Sequence, residues 1–90
     1  MNEVTNESLI EFPCEFPIKI MGKNNPNFRS TIHRLIEKHV GPINEKSIKT
    51  SLSSNTNFAS ITITITAHSQ QQLDQIYYDV SNHDDVLIAL

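Results

Sequence analysis

The sequence predicts an α+β protein of the ferredoxin-like kind, a βαββαβ sandwich whose four-stranded antiparallel sheet carries two helices on one face. Three observations lead there. The segment FASITITITAH, residues 58–68, sets Ile61, Ile63 and Ile65 against Ser60, Thr62, Thr64 and Thr66, the alternation of a half-buried strand. Two further segments, around residues 28–40 and 69–80, repeat their apolar residues at helical spacing. The remaining runs make the order along the chain strand, helix, strand, strand, helix, strand. Each helix has one apolar stripe and each strand one apolar face, which puts both helices on the same side of the sheet. Right-handed crossovers then seat the first and third strands in the centre and the second and fourth at the edges.

Residues 1–11 are polar and unpatterned and read as a flexible tail, with one domain over 12–90. Pro13 and Pro17 each remove a backbone donor and suit an edge or a lead-in segment. Beyond them residues 18–21 alternate as the first strand, with Phe16, Ile18 and Ile20 on one face and Gly22 at its end. The first helix is bracketed by Asn24 or Asn25 as cap, Pro26 in the first turn, and Gly41-Pro42 as terminator. Phe28, Ile32, Leu35, Ile36 and Val40 form its stripe.

A weak strand over 46–53, with Ile48 and Leu52 inward, suits an edge position, and Ser54-Asn55-Thr56-Asn57 reads as a turn. After the Ile/Thr strand, Ser69 and Gln72 make a capping box for the second helix. Its stripe is Leu73, Ile76, Tyr77 and Val80, and Asn82 with His83-Asp84-Asp85 stops it. Residues 86–90 supply the last strand. The sheet face away from the helices then carries Lys19, Met21, Lys49, Ser51, Ser60, Thr62, Thr64, Thr66, Leu87 and Ala89.

Size and composition exclude several classes of function. A chain of 90 residues hides only about 60–70% of its unfolded surface, too little for a deep cleft walled by separate domains. One cysteine cannot form an internal disulfide, so a reducing, cytoplasmic setting is expected. No apolar run approaches the roughly 18–20 residues that span a bilayer. The start of the chain holds Glu3, Glu7 and Glu11 without Lys or Arg, the reverse of a signal peptide. No membrane partner is expected.

Net charge is −3, yet all seven basic residues lie within 19–49, where Glu37 and Glu45 reduce them to +5. Such a block can form a patch for anionic partners, although solvation of one helix and one strand explains it as well.

Chemistry-bearing constellations are sparse. An RNA-binding sheet stacks bases on aromatics at its central strands, but those positions hold Lys19, Met21, Thr62 and Thr64, with Phe58 only at a strand start. The loop after the first strand lacks the paired thiolates of a metal carrier, and His33 with Glu37 is a pair without local companions. Cys14 sits between Glu11 and Glu15, whose charge disfavours a thiolate, and reads as a packing residue. No catalytic residues and no cofactor are expected. What remains is the first strand-to-helix loop, where Gly22, Lys23, Asn24, Asn25 and Arg29 offer a place for a small anionic ligand.

The stretch EFPCEFPIKIMG, residues 11–22, resembles the opening of the YbeD-like family of small bacterial proteins of unknown function. Phe12, Pro13, Phe16, Pro17, Lys19, Met21 and Gly22 carry the resemblance, which extends in pattern to Leu90. It implies a ferredoxin-like fold similar to the ACT domains that regulate metabolic enzymes, and it carries no catalytic residues with it. ACT domains usually hold an amino acid near the first strand-to-helix turn, often across a dimer interface. The turn here, residues 21–26, lacks the acidic residue typical of many such loops.

These readings converge on a non-enzymatic, ACT-like regulatory or interaction module that pairs with a protein partner or with itself. The contact residues expected are Arg34 and Lys38 on the first helix and Thr62, Thr64 and Thr66 on the sheet. A metabolite sensor at the first loop is the alternative, and nucleic-acid binding ranks third.

Overall fold

The computed structural model describes residues 11–52 and 57–90. The tail expected over 1–11 lies outside the described residues except for Glu11, as does the expected turn except for Asn57. The elements are β1 (Cys14–Lys23), α1 (Phe28–Val40), a 3-10 turn (Glu45–Ser47), β2 (Ile48–Leu52), β3 (Phe58–Ala67), α2 (Gln70–Ser81) and β4 (Val86–Ala89). The strands form one antiparallel sheet in the order β2-β3-β1-β4, the ferredoxin-like arrangement.

The core lies between the sheet and the helices. Ile18 and Ile20 of β1 and Ile61, Ile63 and Ile65 of β3 meet Phe28, Ile32 and Ile36 of α1 and Leu73, Ile76 and Val80 of α2, all buried. Isoleucine suits both sides of this contact, because its branched Cβ packs well on a pleated surface. Cys14 packs against the edge of this core, half-buried.

β1 runs longer than residues 18–21, from Cys14 through Pro17 to Lys23. Pro17 is tolerated in a central strand because of how its nitrogen points. Lys19 exchanges both backbone hydrogen bonds with Leu90, at 3.0 and 2.7 Å, so its polar groups face β4. Residues two apart along a strand face the same way, so Pro17 also points its nitrogen to that side, while Pro13 precedes the strand. Among the described residues, β4 does not reach past Lys19, and no ladder bond is lost.

Three details depart from the sequence reading. Pro26 lies in the turn before α1 and the N-cap is Asn27, with no side-chain cap. Residues 45–47 form a 3-10 turn instead of the start of β2, because the Asn44 side chain accepts from the Lys46 N–H at 2.8 Å and competes with the ladder. The faces of β4 are exchanged. The register shifts between Met21 and Gly22, so Ala89 pairs with core-facing Ile20 while Ile88 pairs with Met21 on the open face, and Leu87 falls at the bulge.

Elsewhere the local chemistry is as expected. Gly41 ends α1 at φ 83°, a conformation that L side chains avoid. The Ser69 Oγ accepts from the Gln72 N–H at 3.1 Å, and the Gln72 Oε1 reaches back to the His68 N–H at 2.7 Å, one residue beyond the usual box.

Candidate functional site

Two regions bear on function: the β1–α1 loop and the open face of the sheet. In the loop, the backbone donors are spent within the protein. The Lys23 N–H bonds to the Asp85 carbonyl at 2.9 Å, Asn24 to Asn57 at 3.0 Å, Asn25 to Lys23 at 3.0 Å, and Phe28 to Asn25 at 3.1 Å. The Asn27 N–H bonds to the Asn25 side-chain oxygen at 3.0 Å, and Pro26 has no N–H. The Asn25 amide nitrogen donates to the Asp85 carboxylate at 2.5 Å, and the Asp85 N–H donates to His83 Nδ1 at 3.1 Å. The result is a clasp between the β1–α1 and α2–β4 loops. Gly22 lies beneath it, where a Cβ would overlap the Asp85 carbonyl oxygen and the Phe28 ring.

Arg29 turns elsewhere. Its guanidinium meets Glu45 at 2.6 Å and Thr50 at 3.2 Å, tying α1 to the 3-10 turn and to β2. Arg29 beside Glu45 holds that carboxyl below its ordinary range. Of the five residues expected to form an anion site, Gly22 and Asn25 thus serve the clasp, Arg29 faces β2, Asn24 pairs with Asn57, and the side chain of Lys23 is exposed. Asp85 and His83 complete the clasp; in the sequence they read only as a helix stop.

Glu37 acts in the same structural way. Its carboxylate accepts the Ile43 N–H at 2.9 Å and meets His33 Nε2 at 3.0 Å. The Ile43 hydrogen bond, aided by His33 and opposed by burial, lowers its pKa. Among the described residues no three His, Cys, Asp or Glu come together as metal ligands.

The open face of the sheet has no layer over it among the described residues. The register sets it out in rows. Thr66 stands beside Glu15, and Thr64 beside Pro17. Thr62 lies between Lys19 and Lys49, and Ser60 between Met21 and Ser51. Thr62 and Thr64 are half-buried and Thr66 is exposed. Along β4 the face turns apolar: Ile88 beside Met21 is 48% exposed and Leu90 beside Lys19 is 66% exposed. Arg34 and Lys38 are not part of this face; they stand exposed on α1, on the opposite side of the molecule. The sheet threonines and the helix cations therefore belong to two separate surfaces.

No helix of the described residues is long and apolar enough to cross a membrane. The family model described as "Protein of unknown function (DUF493)" matches residues 7–90. A UPF0250 protein of Paraburkholderia phytofirmans is 42% identical over 85 residues, covering 94% of this chain and 96% of that one. One from Neisseria gonorrhoeae is 36% identical over 91 residues, covering both chains completely. The solution structure of protein HP0495 from H. pylori superposes with a TM-score of 0.72 at 19% identity, covering all of this chain and 94% of that one, a likeness of fold. By sequence and extent of match, this chain belongs to the UPF0250 (DUF493) family, the YbeD-like small bacterial proteins of unknown function.

Proposed function

We propose that this protein is a non-enzymatic, ACT-like regulatory module that acts by protein–protein contact through the open sheet face and its β4 edge. One observation carries the reading: a face that is uncovered among the described residues, on which Met21, Ile88 and Leu90 make an apolar strip beside the threonine row. Contiguous exposed apolar surface rimmed by polar residues is a mark of interaction sites. The edge supports the same use. Leu90 pairs with Lys19 and Ile88 with Met21, so the Ala89 N–H and C=O turn outward, open to a strand from a partner. A reducing cytoplasm suits the single thiol of Cys14.

The sensor alternative fits the loop less well, since an anion would compete with bonds already made by every N–H from Lys23 to Phe28. Affinity capture with the wild type and with an Ile88→Lys, Thr64→Lys variant tests the proposal. A partner held by the wild type and lost by the variant supports it. A partner held equally by both, with folding unchanged, would refute the sheet face as the contact.

A further inference from the structure

We infer that the helical face is a self-complementary surface that pairs two copies of this chain about a twofold axis running along the helices. This surface is distinct from the sheet face and does not depend on it.

Its two halves carry opposite charge. On α1, Arg34 and Lys38 stand four residues apart, exposed, with no ionic partner among the described residues. α2 contains no Lys or Arg; it presents exposed Asp74 with Tyr78 one turn on, 71% exposed, and half-buried Asp79. Each half is hollowed. Thr31, Arg34, Leu35 and Lys38 line a depression of about 190 Å³ on α1. His39, Asp74, Gln75, Tyr78 and Asp79 help line one of about 290 Å³ on α2.

The helices run antiparallel, and His39 fixes their relative height. Its carbonyl accepts from the Gln72 amide at 3.3 Å, and its Nε2 lies 2.6 Å from Asp79 Oδ2, so it stands level with the middle of α2. In antiparallel helices one step back along α1 is one step forward along α2, so Lys38 is level with Ile76 and Tyr77, and Arg34, one turn further on, with Val80 and Ser81. A twofold axis parallel to the helices and between them keeps these heights and lays α1 of one copy over α2 of the other. Lys38 then lies about 4 Å along the axis from Asp74, and Arg34 about 2 Å from Asp79 and about 4 Å from Tyr78, offsets that these long side chains span, while Tyr78 enters the hollow beside Leu35. Symmetry makes every contact twice. Arg over a Tyr face is favourable, and both residue types are common anchors at interfaces.

Helices of this length are about 20 Å long, and two side by side cover about 400 Å², below the roughly 800 Å² per partner of a standard interface. The dimer therefore dissociates on dilution and weakens with salt.

The test is sedimentation equilibrium of the full chain over a wide concentration range, at low salt and at about 0.5 M, where screening is strong. The variants are Arg34→Glu with Lys38→Glu, Asp74→Lys with Gln75→Lys, and Ile88→Asp, each checked for folding by circular dichroism. The wild type should dimerise with a Kd that rises several-fold in salt. Each charge-reversal variant alone should be monomeric, and the two mixed should form a heterodimer. Ile88→Asp should dimerise like the wild type. A wild type that stays monomeric at every concentration in low salt overturns the inference. So does a dimer lost in Ile88→Asp but kept in the helix variants, a result that would leave the sheet-face proposal standing.

Discussion

A side chain at residue 22 has nowhere to go, because the Asp85 carbonyl and the Phe28 ring already occupy the place of its Cβ. At residue 41 the opposite holds: nothing lies within 4 Å of a built Cβ, but φ is 83°. The first glycine answers to crowding and the second to backbone conformation. Gly22→Ala should therefore cost about 1–3 kcal/mol through overpacking, and Gly41→Ala a similar amount, about 1–3 kcal/mol, through backbone strain. Urea unfolding separates the two when Phe28→Leu is added. Trimming the ring should return part of the loss at residue 22 and none at residue 41. Equal behaviour in both backgrounds would sink this account of Gly22. Gly41 was legible in the sequence because a helix terminator is a local signal. The role of Gly22 was not, since its crowding comes from tertiary contacts, with the Phe28 ring and with an Asp85 carbonyl more than sixty positions away.

Among the elements, β3 and both helices were readable because period 2 and period 3.6 persist over ten or more residues. β2 began later than expected because a single Asn44 side chain outcompeted the ladder. β4 has only four residues, too few for alternation to reveal a bulge, so Ile88 was missed and Ala89 placed on the wrong face. Glu37 joins α1 to the segment that leads into β2 through the Ile43 N–H. Its lowered pKa makes that join sensitive to acid. The stability it supplies is complete above the ordinary carboxylate pKa and is lost as pH falls through the lowered folded value. Glu37→Gln should flatten the fall in urea midpoint between about pH 5 and pH 2 relative to the wild type. Parallel curves for the two proteins would show that this carboxylate does not couple folding to pH.

Across the whole molecule, strand order and layer arrangement followed from the pattern of apolar faces. The candidate surfaces did so only in part. The threonines of β3 were placed correctly on the open face, whereas the apolar strip along β4 appears only once the chain is folded. Pro17 of β1 has a further consequence at this scale. Where β4 stops, β1 has no strand beside it among the described residues, and an open flank is a template for uncontrolled stacking of chains into fibrils. With its nitrogen turned outward, Pro17 denies that template one of its donors. Pro17→Val should fold with nearly unchanged stability yet seed thioflavin-positive aggregates faster than the wild type under agitation, and an unaltered lag time would speak against a protective role. Pairing beside Pro17 is then disfavoured, so one imino acid steers a neighbouring chain away from this flank and towards the short β4 rim.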